Sequence, residues 1–215
     1  MQPLIIKYNL SKVHCYKHDD SGSKAEPFIW VVFFKIDGDT TFINHDNVLQ
    51  GKATVIGSSG NHGNLAEVMQ GRSVTIPNRI GTFQTQLNPI NMKNFPGMQR
   101  GGHIGCLVIL NEEDQIPSDN AIAIGYRKLI KEVQKELNQV IPTLRLGNET
   151  ITEEQKKQII KRVQKAVLSK IKKSVSFVEK MFALHTFTTN KDDKIGHELF
   201  DYSHAYLEKK NRKTH

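Results

Sequence analysis

Cysteine is nearly missing from this chain: two residues, Cys15 and Cys106, among 215. A disulfide framework is therefore excluded, and at most one bridge can form. Both lie in strand-like runs, which predicts two buried thiols. Long apolar runs are missing too. None approaches the roughly 18 residues that a membrane-spanning helix needs, so no transmembrane segment is expected. Residues 1–10 place one lysine in an apolar, strand-like stretch with no small-residue cleavage site. The expectation is a cytoplasmic protein, or one exported without a cleavable signal peptide. Catalytic signatures are also lacking: no serine, cysteine or carboxylate pair stands at a signature spacing from a base, so nucleophilic and acid–base catalysis have no local support. The glycine-rich run Gly57-Ser58-Ser59-Gly60-Asn61-His62-Gly63-Asn64 is not followed by Gly-Lys-Ser/Thr or by a strong helix start. It reads as a mobile loop rather than a phosphate cradle.

What is present is enough chain for one domain with a real core, and a charge that is unevenly spread. The formal charge is +8, but residues 118–183 hold 14 Lys and Arg against 7 Asp and Glu, or +7. The remainder holds 16 against 15, or +1. The first half is strand-like. Leu4–Cys15 has β-branched residues and partial alternation, the pattern of a strand with one wet face. After an acidic, turn-prone loop, Pro27–Ile36 is apolar without interruption and holds the only tryptophan, Trp30, which predicts a central strand covered on both faces. It stops at the turn signal Asp37-Gly38-Asp39. Further strands are expected at Phe42-Ile43, Lys52–Ile56, Ser73–Ile80, Phe83–Leu87 and His103–Asn111, the last ending in the acidic Glu112-Glu113-Asp114.

From Ser118 the apolar period changes from two to about three and a half. Ser118 or Asp119 can cap a helix with Ile122, Tyr126, Leu129, Ile130, Val133, Leu137 and Val140 on one face, ending before Pro142. A second helix starts at Thr152-Glu153-Glu154-Gln155, a capping box, and carries Ile159, Val163, Ala166, Val167, Ile171, Val175 and Val178 on one side. Together they predict a helical hairpin around a loop at Arg145–Thr150. Leu184 to Leu207 returns to strand-like composition, and the end, Glu208–His215, reads as a basic, frayed tail. The expected organisation is α+β: one antiparallel β-sandwich from residues 1–117 and 184–207, interrupted by the hairpin at 118–183.

Two short motifs carry a family resemblance. Asp20-x5-Glu26, with Gly22 inside and Pro27-Phe28 after it, resembles the first calcium loop of the C2 domain family. Asp192-Asp193-Lys194-Ile195-Gly196 resembles that family's last loop, before its closing strand. The two matches stand in the correct order near opposite ends and cover about a tenth of the chain. The resemblance implies an eight-stranded antiparallel sandwich whose loops gather at one end, where oxygen ligands take calcium or the loops meet lipid or protein. It nominates Asp20, Glu26, Asp192 and Asp193 as calcium ligands. Calcium takes six to eight hard oxygens; here Glu26 stands in place of the family's aspartate, and His185, Thr186 and Phe187 occupy positions where further carboxylates are expected. A degenerate, metal-free sandwich is the leading reading, with calcium binding as the alternative.

Other residues invite chemistry of their own. His14, Cys15 and His18 cluster, and His103-x2-Cys106 has zinc-ligand spacing, but on a strand His14 and Cys15 point to opposite faces, as do His103 and Cys106. The second helix has nine basic residues: Lys156, Lys157, Lys161, Arg162, Lys165, Lys170, Lys172, Lys173 and Lys180. Their plain reading is a solvated face opposite an apolar stripe. The functional readings are attraction to an anionic membrane, to an acidic protein partner, or to nucleic-acid phosphates. No aromatic interleaves with residues 156–173, which disfavours stacking on single-stranded nucleic acid. The expected function is a non-enzymatic binding module with the loop end and the basic helix as its two surfaces. The alternative is a metal-dependent hydrolase or nuclease assembled from dispersed residues such as His62, His103 and Asp114.

Overall fold

A computed structural model describes residues 1–16, 24–57, 60–112, 119–144, 151–174 and 196–211. The chain opens with β1 (Leu4–Asn9) and β2 (Lys12–His14) and continues into the ten-residue β3 (Pro27–Ile36). Short strands follow: β4 (Thr41–Ile43), β5 (Leu49–Gly51), β6 (Thr54–Ile56), β7 (His62–Asn64) and β8 (Ser73–Thr75). A single turn, α1 (Asn78–Gly81), leads to β9 (Thr82–Leu87), β10 (Ile90–Asn91), β11 (Gln99–Arg100) and β12 (His103–Glu112). Helices α2 (Asp119–Val140) and α3 (Glu153–Ser174) precede β13 (Gly196–Ser203) and α4 (His204–Asn211). The fold is mixed α+β, as the change of period predicts, and every named strand pair is antiparallel.

The central sheet runs β13-β12-β3-β6, with β7 pairing the start of β3 where β6 does not reach. Two-stranded sheets β1-β9, β2-β8, β4-β5 and β10-β11 surround it, and none closes on itself. Strand β3 is apolar throughout because both of its faces are covered. Successive side chains of a strand point to opposite faces. Trp30, Val32, Phe34 and Ile36 therefore join one core, which includes Leu107, Ile109 and Leu199 and the stripes Ile122, Tyr126, Leu129, Val133 and Leu137 of α2 and Ile159, Ile160 and Val163 of α3. Ile29, Val31 and Phe33 join the other, with Cys106, Val74, Ile76 and Ile80, against which Tyr8, Val13 and Phe83 pack. Each fully buried side chain of this size contributes about 1.5–3 kcal/mol. The hairpin thus covers one face of the central sheet, and it is inserted in the chain between two strands, β12 and β13, that are neighbours in that sheet.

Local signals place the helix ends. Pro142 stops α2 at Val140 and sits in a short 3₁₀ turn, Ile141–Thr143. The capping box forms in full: the Thr152 N–H donates to Gln155 Oε1 (2.9 Å) and the Gln155 N–H donates to Thr152 Oγ1 (3.2 Å).

Four boundaries differ from the sequence reading. Leu4–Cys15 is two strands, because the partner changes from β9 to β8 across Leu10 and Ser11. At that crossing a Cβ on Gly81 would lie 2.3 Å from the Leu10 carbonyl oxygen, so only glycine fits. Ser73–Ile80 keeps only three strand residues before Pro77 turns the chain into α1. The glycine-rich run is not all loop, since His62–Asn64 forms β7 and supplies the start of β3 with a neighbour. The tail is helical through Asn211, with the Tyr206 N–H donating to Ser203 Oγ (3.2 Å) and the Tyr206 ring stacked on Tyr202 at 5.5 Å. The loop Arg145–Thr150 and residues Val175 and Val178 lie outside the described residues.

Candidate functional site

The two helices run antiparallel. Gln155 Nε2 donates to Thr143 Oγ1 (2.8 Å) near the turn, and Arg162 Nη1 donates to Gln139 Oε1 (2.8 Å) and Glu136 Oε2 (3.1 Å) further along. Ion pairs take up three of the helices' carboxylates, while Glu154, exposed in the first turn of α3, accepts only from Gln158 Nε2 (3.1 Å) among the described residues. Glu136 is buried and paired with Arg162. Glu132 is buried between Lys128 and Lys135. Burial pushes its carboxyl up, but the hydrogen bond and charge of Lys128, with Lys135, outweigh this and hold it below the ordinary glutamate value. Glu153 pairs with Lys156 at 2.8 Å.

What remains is an excess of positive charge. Lys157, Lys161 and Lys165 are exposed at i, i+4 and i+8 on α3, so they fall along one side of the helix. They form no ion pair among the described residues. On α2, Arg127, Lys131 and Lys135 repeat this spacing and are also exposed. The first two are likewise without an ion pair among the described residues. Sequence reasoning missed this second row by following charge density, which is higher in the second helix. The signal was the four-residue spacing of basic residues opposite the apolar stripe.

The other basic residues nominated from the sequence are placed differently or lie outside the described side chains. Lys156 is half-buried on Glu153, and the Arg162 guanidinium is committed to Glu136 and Gln139. Lys170, Lys172 and Lys173 lie in α3 with side chains outside the described residues, and Lys180 lies beyond them.

At the other candidate surface, strand register gives a partial result. Glu112 pairs with Pro27 and Leu110 with Gly196. The start of β3, the end of β12 and the start of β13 therefore share one end of the central sheet. Glu26 stands there, exposed, immediately before β3. Asp20, Asp192 and Asp193 lie outside the described residues, as do His18 and Asp114. Among the described residues no group of three His, Cys, Asp or Glu is placed to hold a metal ion.

The histidines are dispersed. His14 is exposed and hydrogen-bonds Ser73 Oγ (2.9 Å), while the neighbouring Cys15 is half-buried on the core. His62 lies opposite Trp30 and His103 opposite Ile36. Six residues of strand separate those positions, about 20 Å, so the structure does not bring His62 and His103 together. His62 packs against Phe28 and Tyr126, with ring centroids 6.2 and 4.8 Å away. His103 is buried with Nδ1 3.5 Å from Asp201 Oδ1, and Asp201 Oδ2 accepts the Ile151 N–H at 2.7 Å. That pair ties the entry of α3 to the sheet. Cys106, three residues from His103, is buried in the opposite core; burial pushes its thiol up to about 12. Comparison with protein-family models, with curated proteins and with solved structures gives no match to this chain.

Proposed function

We propose that the protein is a non-enzymatic binding module that docks on a membrane surface rich in anionic lipid, through the outer face of the α2–α3 hairpin. The observation that carries this reading is the two rows of exposed cations, Lys157, Lys161 and Lys165 on α3 and Arg127, Lys131 and Lys135 on α2, on packed helices whose buried carboxylates are already paired. Like charges four residues apart cost a helix a few tenths of a kcal/mol, and each cation near an anionic bilayer contributes about 1 kcal/mol. The contact is peripheral; no helix among the described residues is long and apolar enough to cross a bilayer.

The sheets are read in the same proposal as a degenerate C2-like sandwich. In support stand the resemblances at Asp20–Phe28 and Asp192–Gly196 and the three strand ends that share one end of the sheet. The docking is metal-independent in this reading, and calcium at Asp20, Glu26, Asp192 and Asp193 is the alternative.

Vesicle co-sedimentation tests both. Binding is expected on vesicles with phosphatidylserine and not on phosphatidylcholine alone, falling as salt rises and unchanged by calcium or a chelator. Neutralising Lys157, Lys161 and Lys165 together to glutamine should weaken it on the order of 100-fold, at about 1 kcal/mol per charge. Equal failure on both vesicle types, with and without calcium, removes the proposal. A steep salt slope on duplex DNA with no vesicle binding moves the basic face to nucleic acid, and capture by an acidic protein alone moves it to a protein partner.

A further inference from the structure

A second surface lies away from the hairpin. A groove of about 260 Å³ runs between β1, the outer strand β13 and helix α4. Five consecutive residues, Ile6 to Leu10, line it. A strand shows alternate side chains to opposite faces, so a groove that touches five in a row follows the strand's backbone edge rather than one of its faces. Among the described residues β1 pairs with β9 alone. Its other edge therefore offers main-chain N–H and C=O groups to a newcomer, as open edges do.

The rest of the groove is built from aromatic and cationic side chains. Phe200 and Tyr202 of β13 form the floor with Ile104, and Tyr206 and Lys210 of α4 form the far wall. Tyr8 and Tyr202 approach to 5.9 Å and Tyr202 and Tyr206 stack at 5.5 Å, while Tyr206 remains 48% exposed. Lys7 on one wall and Lys210 on the other are both exposed, and no carboxylate lines the groove.

We infer that this groove takes an extended acidic peptide segment of a partner protein, which adds to the edge of β1 as a third strand of the β1-β9 sheet. Main-chain pairing supplies the contact, alternate apolar side chains cover Phe200, Tyr202 and Tyr206, and carboxylates meet Lys7 and Lys210. A lysine in the middle of an open edge also deters pairing with a second copy of β1, where the two ammonium groups would meet. The site is separate from the hairpin face and does not rest on membrane docking.

The probe is a fluorescein-labelled eight-residue peptide alternating glutamate and valine, titrated by anisotropy with the full chain at physiological salt. Saturable binding is expected. A peptide N-methylated at alternate amides, which removes its main-chain donors, should bind at least about tenfold more weakly, as should the wild-type peptide to the Lys7→Glu/Lys210→Glu double variant. Both substitutions are on the surface, and an unchanged circular dichroism spectrum confirms the fold. A Lys161→Glu/Lys165→Glu variant should bind the peptide like wild type. The inference is overturned by no saturable binding up to millimolar protein, by binding that survives N-methylation, or by equal losses in both double variants, which would mark unspecific charge attraction.

Discussion

Lys35 lies in the middle of the fold with 6% of its surface exposed, and its ammonium is tolerated there because oxygens surround it. It donates to Asp37 Oδ2 (2.9 Å), to the Gln86 carbonyl (3.0 Å) and to Asp39. Burial alone would lower its pKa; hydrogen bonds to Asp39 and Asp37 more than offset that and raise it. The same bond from Lys35, with one from Asn88 Nδ2, holds Asp39 below the ordinary aspartate range. A carboxylate depressed in the folded state stabilises the fold above its unfolded value, near 3.9 for aspartate, and that contribution is lost as pH falls through the folded value. Glu132 acts with the same sign. Thermal midpoints measured by circular dichroism should therefore drop from about pH 5 to about pH 3, and Asp39→Asn should give a lower midpoint at neutral pH with a flatter acid limb. Lys35 has the opposite sign: its contribution is complete below about pH 10.4 and is lost as pH rises through its raised folded value.

Elements differ in how far their own residues specify them. The start of α3 is written into four positions, and Thr152 and Gln155 make the reciprocal bonds that the pattern predicts. Replacing Thr152 with alanine removes one cap and should cost about 1 kcal/mol, read from the urea midpoint at unchanged slope. Glu154→Gln, in the same turn and exposed, should change stability by less than about 0.5 kcal/mol. The ten apolar residues of β3 likewise announced a strand covered on both sides, because continuous burial leaves no polar alternation. Strand β7 gave no such signal. His62-Gly63-Asn64 has neither alternation nor β-branched residues, and it is a strand because β3 offers it an edge. Helix α4 was hidden for a related reason: it rests on a Ser203 cap and on Tyr206 packing over Tyr202, a residue of the preceding strand.

In the whole molecule, two cores on opposite faces of one sheet share β3 and β12, so neither layer can open without exposing residues of those strands. Cys106 sits in that shared position, buried and with its thiol pushed up to about 12, while Cys15 is half-buried near the edge. Thiolate is the reactive form. In the native protein at neutral pH a thiol reagent should therefore label Cys15 first. Cys106 should react only at the rate of global opening, and urea should accelerate its labelling along the unfolding transition. Mass spectrometry of labelled peptides separates the two. Rapid labelling of Cys106 without denaturant would mean that the layers part independently.

The long central strands β3 and β12, the two hairpin helices with the buried stripes of α2 and of α3 as far as Val163, and the density of positive charge on the second helix were determined by the sequence alone, because periodicity and capping are properties of neighbouring residues. Only the tertiary structure decided which distant residues meet. It joined His103 to Asp201, packed α2 against α3 through Arg162 and Glu136, and left the second edge of β1 without a strand partner among the described residues, next to Tyr202 and Tyr206. Such contacts depend on strand register and on the packing of whole elements, and a one-residue slip in pairing turns every side chain of a strand to its other face.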